Sequence, residues 1–345
     1  MRAHSLYLLS RTASVSSPAS PCRCFHRMGS LKMNIPIVDF AAFSINKKRV
    51  SNRKLPALSK QLETAFTEVG FVILKNTGIS HATVTRVLEV SKEFFLKSKE
   101  QKGPFRRSSF PESENHGWVS LETERLNVLH SLNPPRPGDL KEAYNITSLQ
   151  SDIRWPPDPF KDIHTSFFWQ CKDLGLRVLR VMAHSLDLDP EVFLHTHGQI
   201  GSNKNATTLR SLYYPSVKCE EAKEGQLRCG EHSDYGSITL LFQGSEGLQV
   251  LSRSGEFIDA PCIPGAVLVN IADLMQRWTS DRFVSMRHRV LLPTAGDDRT
   301  RQSLAFFVHP DDEALISCCD GSDKYPPVTA GAYLKERFSK SYGKT

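Results

Sequence analysis

Residues 229–242 read CGEHSDYGSITLLF, and this stretch decides the fold. It opens a series of short apolar runs separated by turn residues: GLQVL (247–251), GEFIDA (255–260), AVLVNIADLMQRW (266–278), FVSMRHRVLLP (283–293) and RQSLAFFVHP (301–310). From residue 204 onward turn signals recur roughly every 8–12 positions, the pattern of an all-β sandwich or barrel. Side chains alternate along a strand, so His232 and Asp234 point to one side, and so do Arg301 and Ser303.

A His-x-Asp pair alone says little, because with twelve histidines in the chain about one such pair arises by chance. A second pair, His309-Pro-Asp311, has no later histidine to complete a ligand set, and its proline would interrupt a central strand; it reads as a strand-ending turn. The first pair is followed by His288 and then Arg301, each in or beside an apolar run bounded by glycine and proline. Two imidazoles and a carboxylate on one face hold a divalent metal and leave coordination positions open, as in the facial triad of non-haem Fe(II) oxygenases.

With those residues in place, residues 204–310 resemble the catalytic half of the isopenicillin N synthase-like 2-oxoglutarate/Fe(II) dioxygenases, the iron/ascorbate-dependent oxidoreductases. The matching pieces are Leu212-Tyr-Tyr214-Pro215, HSDYGSITLL, GLQV, VNIADLMQRWTSDRF, Arg287-His288-Arg289-Val290 and Arg301-Gln-Ser303. IPIVDF (35–40) and GFVILKNTGI (70–79) resemble the N-terminal signature of the same family, so the likeness covers nearly everything after residue 33. It implies an α+β chain with a mainly β catalytic core. That core is a double-stranded β-helix, a distorted, cupin-like jelly roll, with a helical N-terminal region packed on it.

The resemblance also implies a site. His232, Asp234 and His288 would ligate Fe(II), and 2-oxoglutarate would chelate the metal through its keto and C1 carboxylate oxygens. The distant C5 carboxylate calls for a planar bidentate partner, which arginine supplies and lysine does not. Arg301 takes that role, with Ser303 and Tyr214 as further donors. The common plant pattern has Asn two positions before that tyrosine, where this chain has Leu212, so one co-substrate contact is expected to be missing or replaced. Phe307 shares a strand face with Ser303 and matches a position that meets substrate in relatives. HGWVS (116–120) and GDLKEAYNI (138–146) resemble the stretch leading to the active-site mouth, making Trp118 and Tyr144 substrate-side candidates. Asn270 and Asp273, in VNIAD, are expected to steady the strand-to-loop corner or the metal ligands. The implied reaction consumes O2 and oxidatively decarboxylates 2-oxoglutarate to succinate and CO2 while oxidising an unactivated C–H bond of a small organic molecule. Hydroxylation is the default outcome, with desaturation and ring closure as variants and ascorbate as the reductant that keeps iron ferrous.

Four other classes compete. An oxidase of the isopenicillin N synthase or aminocyclopropanecarboxylate oxidase kind keeps the same residues without consuming 2-oxoglutarate; succinate formation separates the two. Nucleic-acid demethylases carry a second arginine six residues after the first, where this chain has Phe307. A non-catalytic jelly-roll module usually loses a ligand or the arginine, and a structural zinc site would close its sphere with a fourth protein ligand. Neither matches the residues present.

The rest of the chain sets the context. Its 345 residues, 39% hydrophobic and 23% charged, suffice for one or two domains with a buried core. There is no run of 18 apolar residues, so no membrane span is expected. The formal net charge of +7 is concentrated at the start: residues 1–38 hold Arg2, Arg11, Arg23, Arg27 and Lys32 and no acid, so their removal lowers +7 by 5 to +2. The remainder lacks the basic footprint of a nucleic-acid partner, and neither a Walker loop nor a dinucleotide fingerprint occurs. Serine- and arginine-rich and free of acids, residues 1–32 have the composition of a mitochondrial transit peptide or a basic tail. Translation from Met1 would send the chain to the matrix, and a start at Met28 or Met33 would leave it cytoplasmic. Eight cysteines without repeating spacing give neither a disulfide framework nor a Cys-type zinc site.

Helical spacing marks Leu55, Leu58, Leu62 and Phe66, then Val84, Val87, Leu88 and Phe94 behind a Ser80 cap, and a long helix from about Phe160 to Leu186. His195-Thr-His197 reads as surface or loop. The expected divisions are a dioxygenase N-terminal region at 33–158, a helical connection at 159–203, the jelly roll at 204–310 and a C-terminal extension at 311–345, of which 325–345 is a candidate lid.

Overall fold

The computed structural model describes residues 34–50, 52–110, 115–125, 137–149, 153–217, 221–294, 296–297 and 299–342. The expected transit segment lies outside the described residues. In chain order the elements are β1 (Ile37–Asp39), α1 (Leu55–Glu68), β2 (Phe71–Lys75), α2 (His81–Phe95), α3 (Lys99–Lys102), β3 (Gly117–Val119), β4 (Glu142–Ile146), α4 (Phe160–Ser185), α5 (Glu191–Leu194) and β5 (Thr208–Tyr214). They continue with β6 (Cys229–His232), β7 (Ile238–Gln243), β8 (Leu248–Leu251), β9 (Phe257–Asp259), β10 (Val267–Ile271), α6 (Asp273–Trp278), β11 (His288–Val290), β12 (Arg301–Val308), β13 (Leu315–Ile316), β14 (Val328–Thr329) and α7 (Ala330–Tyr342).

Two sheets carry the fold. The larger has eight strands in the order β1-β2-β10-β7-β12-β5-β4-β3, and the smaller has four in the order β6-β11-β8-β9. Apart from the parallel β1-β2 pair, the neighbours in both sheets run antiparallel. Period-two alternation sorts each strand of the larger sheet between two apolar clusters. Along β12, Leu304, Phe306 and Val308 join a cluster with Phe66 of α1, Val87 and Phe94 of α2, and Phe167, Leu174 and Val178 of α4. Ala305 and Phe307 face the other way, into a second cluster where Phe71, Leu212 and Tyr214 meet Cys229, Leu248, Val250 and Val290 of the smaller sheet. The layers are therefore helices, large sheet, small sheet, with the jelly-roll interior between the sheets.

Local sequence explains the helices. Ser80 caps α2, its hydroxyl accepting from the Thr83 amide at 3.0 Å. In α4 the three- and four-residue spacing buries one broad face on β12 and β7, with Gly175 letting Val308 approach. No helix among the described residues is long and apolar enough to cross a membrane.

Two sequence readings need correction. His197 is fully buried, not at the surface: its Nδ1 donates to the Phe193 carbonyl at 2.6 Å and its Nε2 meets the Ser237 hydroxyl at 2.9 Å, while His195 is exposed. Trp118 and Tyr144, expected near the substrate mouth, sit in the cluster under the helices. Tyr144 packs edge-on against Phe94 and Phe160, and the Trp118 indole donates to Glu142 at 2.6 Å. The physical reason is strand parity: Val119, Ala143 and Asn145 hold the interior positions beside them.

Candidate active site

The interior of the jelly roll brings His232, Asp234 and His288 together. β6 and β11 pair with His288 directly opposite His232, so the two rings lie 4.3 Å apart. Asp234 sits in the turn after β6, with each imidazole Nε2 3.8 Å from its Oδ1. This is the one group of metal-ligating side chains found among the described residues. Gly236 lets the turn close, because a side chain there would collide with the Val308 carbonyl and His309. His309-Pro-Asp311 follows the end of β12 and leads into a turn in which the Asp311 carbonyl accepts from the Ala314 amide at 2.8 Å, while the Asp311 carboxylate accepts from Asn205 at 2.7 Å and from the Gln199 amide.

Each of the three side chains has one end tied and one end free. The His232 Nδ1 donates to the Gly230 carbonyl at 2.8 Å and the His288 Nδ1 to the Met286 carbonyl at 3.3 Å, which leaves both Nε2 lone pairs bare. Asp234 Oδ2 accepts from Thr239 Oγ1 at 2.7 Å and Asn270 Nδ2 at 2.8 Å, and Oδ1 is left facing the imidazoles. Burial opposes ionisation of Asp234, but the two histidines, Asn270 and Thr239 outweigh it and hold its carboxyl below the usual range. Burial, then the neighbouring His232, push His288 down to about 4, so its ring is neutral at pH 7. Two imidazoles with a carboxylate form the donor set that fits a divalent transition metal. Asp273 links the two segments that carry these three side chains, accepting from Ser233 Oγ at 3.0 Å and Ser285 Oγ at 2.7 Å.

Along the same interior face, Arg301 stands opposite Tyr214 in the β12-β5 register, its guanidinium 5.0 Å from the tyrosine ring. Arg301 is buried and makes no salt bridge to a carboxylate among the described residues; its contacts are neutral acceptors, the Glu246 carbonyl at 3.0 Å, Ser303 Oγ at 3.2 Å and Gln243 Oε1 at 3.2 Å. A buried cation without an anion is costly, and a carboxylate ligand relieves that cost. Because Ser303 accepts from Arg301, its own hydroxyl proton remains to be donated. Burial raises the Tyr214 phenol, so it too stays a donor. Leu212 lies on this face and donates nothing. A shallow cleft lined by Ile73, Leu241, Gln243, Pro261, Ile263, Ala266 and Leu268 adjoins the arginine through Gln243. Phe307 is opposite Thr239 and Thr208, one strand from the residue that holds Asp234.

Sequence reasoning missed a buried charge cluster that joins Arg210 of β5 to the residues leading into β4. Lys141 Nζ lies 2.7 Å from Asp139, 3.6 Å from Glu124 and 3.5 Å from Cys229 Sγ, and Arg210 pairs with Glu124. Burial works against the Glu124 charge, yet Arg210 and Lys141 lower its carboxyl to about 2. Asp139 also accepts from the Gly230 amide at 3.1 Å, the residue whose carbonyl orients His232. The alternation Asp139, Lys141, Ala143, Asn145 was the available signal.

Comparison with known proteins agrees with this architecture. The 2OG-Fe(II) oxygenase superfamily model matches residues 205–310, and the model for the non-haem dioxygenase in morphine synthesis N-terminal region matches residues 35–164. The UPF0676 protein C1494.01 of Schizosaccharomyces pombe is 32% identical, covering 92% of this chain and 94% of its own. The 2-oxoglutarate-Fe(II) type oxidoreductase hxnY of Emericella nidulans is 30% identical over 90% of each chain. A full-length Neurospora crassa protein, crystallised in complex with alpha-KG and thymine, superposes with a TM-score of 0.77 at 33% identity, covering 89% of this chain and 97% of that one. The chain belongs to the 2OG-Fe(II) oxygenase superfamily and is an Fe(II)- and 2-oxoglutarate-dependent dioxygenase.

Proposed function

We propose that His232 Nε2, His288 Nε2 and Asp234 Oδ1 are the Fe(II) ligands, and that Arg301, Ser303 and Tyr214 receive the C5 carboxylate of 2-oxoglutarate. The observation that carries this reading is the one-sided engagement of Asp234, with Oδ2 held by Thr239 and Asn270 and Oδ1 turned to two bare imidazole nitrogens. Iron, when bound, supplies the O2 activation and 2-oxoglutarate decarboxylation that drive hydroxylation of the substrate. The chain does the positioning. The Gly230 and Met286 carbonyls fix both imidazole tautomers, and the Arg301 fork sets the far end of the co-substrate. The apolar walls contributed by Phe71, Leu212 and Val250 exclude water.

For the substrate we infer a planar, nucleobase-like heterocycle. The Neurospora crassa relative, at 33% identity, has been crystallised with thymine and with 5-formyluracil. In this chain Phe307 offers a ring for stacking. Arg210 and Asn145, paired across β5 and β4, share its interior face, and the buried Asn145 Oδ1 has no hydrogen-bond donor among the described residues, which suits a ring N–H. Succinate formation from 2-oxoglutarate in air, with thymine, 5-formyluracil or proline added, tests this. The nucleobases are expected to raise succinate above the substrate-free rate; stimulation by proline alone would contradict the inference.

The acid-free composition of residues 1–32 further supports a mitochondrial address when translation starts at Met1. Fused to a fluorescent protein, that segment should accumulate in mitochondria, and diffuse cytoplasmic signal would refute the address.

A further inference from the structure

The last helix, α7, reaches the segments that bear the candidate ligands through an ion pair. Arg337 donates to Asp273 Oδ2, the oxygen that also accepts from Ser233, while Oδ1 accepts from Ser285. Ser233 lies between His232 and Asp234, and Ser285 lies three residues before His288. A single carboxylate thus ties together the two segments that bear all three candidate ligands. The backbone reinforces the tie: the amides of Asp273, Leu274 and Met275 donate to the carbonyls of Asp234, Tyr235 and Gly236 at 2.8, 3.2 and 3.3 Å. Arg337 also lies 4.9 Å over the ring of Tyr235, and Phe338 meets that ring edge-on at 5.9 Å. Asp273 is poorly exposed, and its nearby anionic neighbour is Asp234. A half-buried carboxylate beside another carboxylate is stabilised by a cation, and α7 supplies one.

We propose that Arg337 is a positioning residue and that α7 is a clasp on the metal site, so that seating of the helix and binding of the metal favour each other. This rests on the assignment of His232, Asp234 and His288 as ligands. Without Arg337 the Asp273 charge is left beside Asp234, the hydroxyls of Ser233 and Ser285 lose a fixed anchor, and the two ligand segments spread. Linkage is reciprocal, so metal binding must tighten α7 by the same factor by which α7 tightens metal binding.

Two measurements on the full chain test this. The first is anaerobic Co(II) and Fe(II) binding by competition with a coloured chelator, for wild type, Arg337→Ala, Arg337→Lys and the double variant Asp273→Asn/Arg337→Ala. Arg337→Ala is expected to weaken metal binding about tenfold or more, in the range of partners that orient metal ligands. Arg337→Lys should recover most of the loss, and so should the double variant, which removes the uncompensated charge. Wild-type affinity in Arg337→Ala, or no rescue by either second variant, would overturn the clasp. The second is hydrogen exchange of residues 330–342 in wild type, with and without Co(II), which remains decisive if Arg337→Ala fails to fold. Slower exchange of α7 with Co(II) is expected, and identical exchange overturns the proposal. If wild type binds no metal at all, it is the ligand assignment that falls.

Discussion

At the scale of single residues, the site is a set of side chains each held at one end so that the other stays available. Asp234 depends on Thr239 and Asn270 for this, at 2.7 and 2.8 Å. Thr239→Val and Asn270→Ala should therefore each weaken Fe(II) binding by roughly 10–100-fold while leaving 2-oxoglutarate recognition at Arg301 intact once metal is saturating. Chelator competition followed by 2-oxoglutarate titration separates the two effects, and an unchanged metal affinity in both variants would show the clamp to be idle. That His232, Asp234 and His288 would meet was legible, because His-x-Asp and a later histidine are local patterns on alternating strands, as is Arg-x-Ser. The roles of Lys141, Asp139, Glu124 and Arg210 were not, since a buried ion network depends on which distant side chains meet, and neither charge nor spacing along the chain encodes that.

At the scale of elements, strand parity decides what each residue faces. Phe306 and Phe307 are neighbours in β12, yet one packs against Phe168 of α4 and the other lines the interior beside Leu212 and Tyr214. The same rule sends Tyr144 to the helices, where its hydroxyl meets His116 Nε2 at 3.4 Å. Tyr144→Phe should accordingly lower stability by about 1 kcal/mol, the usual worth of one buried hydrogen bond. Substrate and 2-oxoglutarate KM should stay unchanged; a KM shift without a stability change would return Tyr144 to the substrate mouth. Helices α1, α2 and α4 were readable from three- and four-residue spacing together with the Ser80 cap. Which face of β3 and β4 would look inward was not, because both faces of those strands are buried and the alternation of polar and apolar residues that marks a solvated face is missing.

At the scale of the whole molecule, the helical layer and the jelly roll are fastened by buried neutral histidines. His164 bridges Ser91 of α2 and Ser211 of β5, His197 meets Ser237, and His116 packs edge-on among Tyr144 and Trp155. Burial lowers all three to about 4. In the unfolded chain they titrate near 6.5, so between about pH 6.5 and 4 the unfolded state binds more protons than the folded one, and stability falls as the solution is acidified through that window. Each should cost on the order of 1–2 kcal/mol at about pH 5 relative to pH 7. Urea midpoints across about pH 5–7.5 check this, and His164→Gln should flatten part of the slope; a midpoint constant down to about pH 5 would contradict it.

The central claim, that this interior binds iron and 2-oxoglutarate together, is tested most directly by anaerobic optical titration of the purified protein with Fe(II) and then 2-oxoglutarate. A metal-to-ligand charge-transfer band requires the keto acid on the metal, and its appearance does not depend on knowing the substrate. The account predicts the band in wild type, its loss in His288→Ala, and in Arg301→Ala a band that needs at least about tenfold more 2-oxoglutarate, the loss expected on removing a bidentate charge-assisted contact. Iron bound without any band in wild type, or a band indifferent to both substitutions, would contradict it.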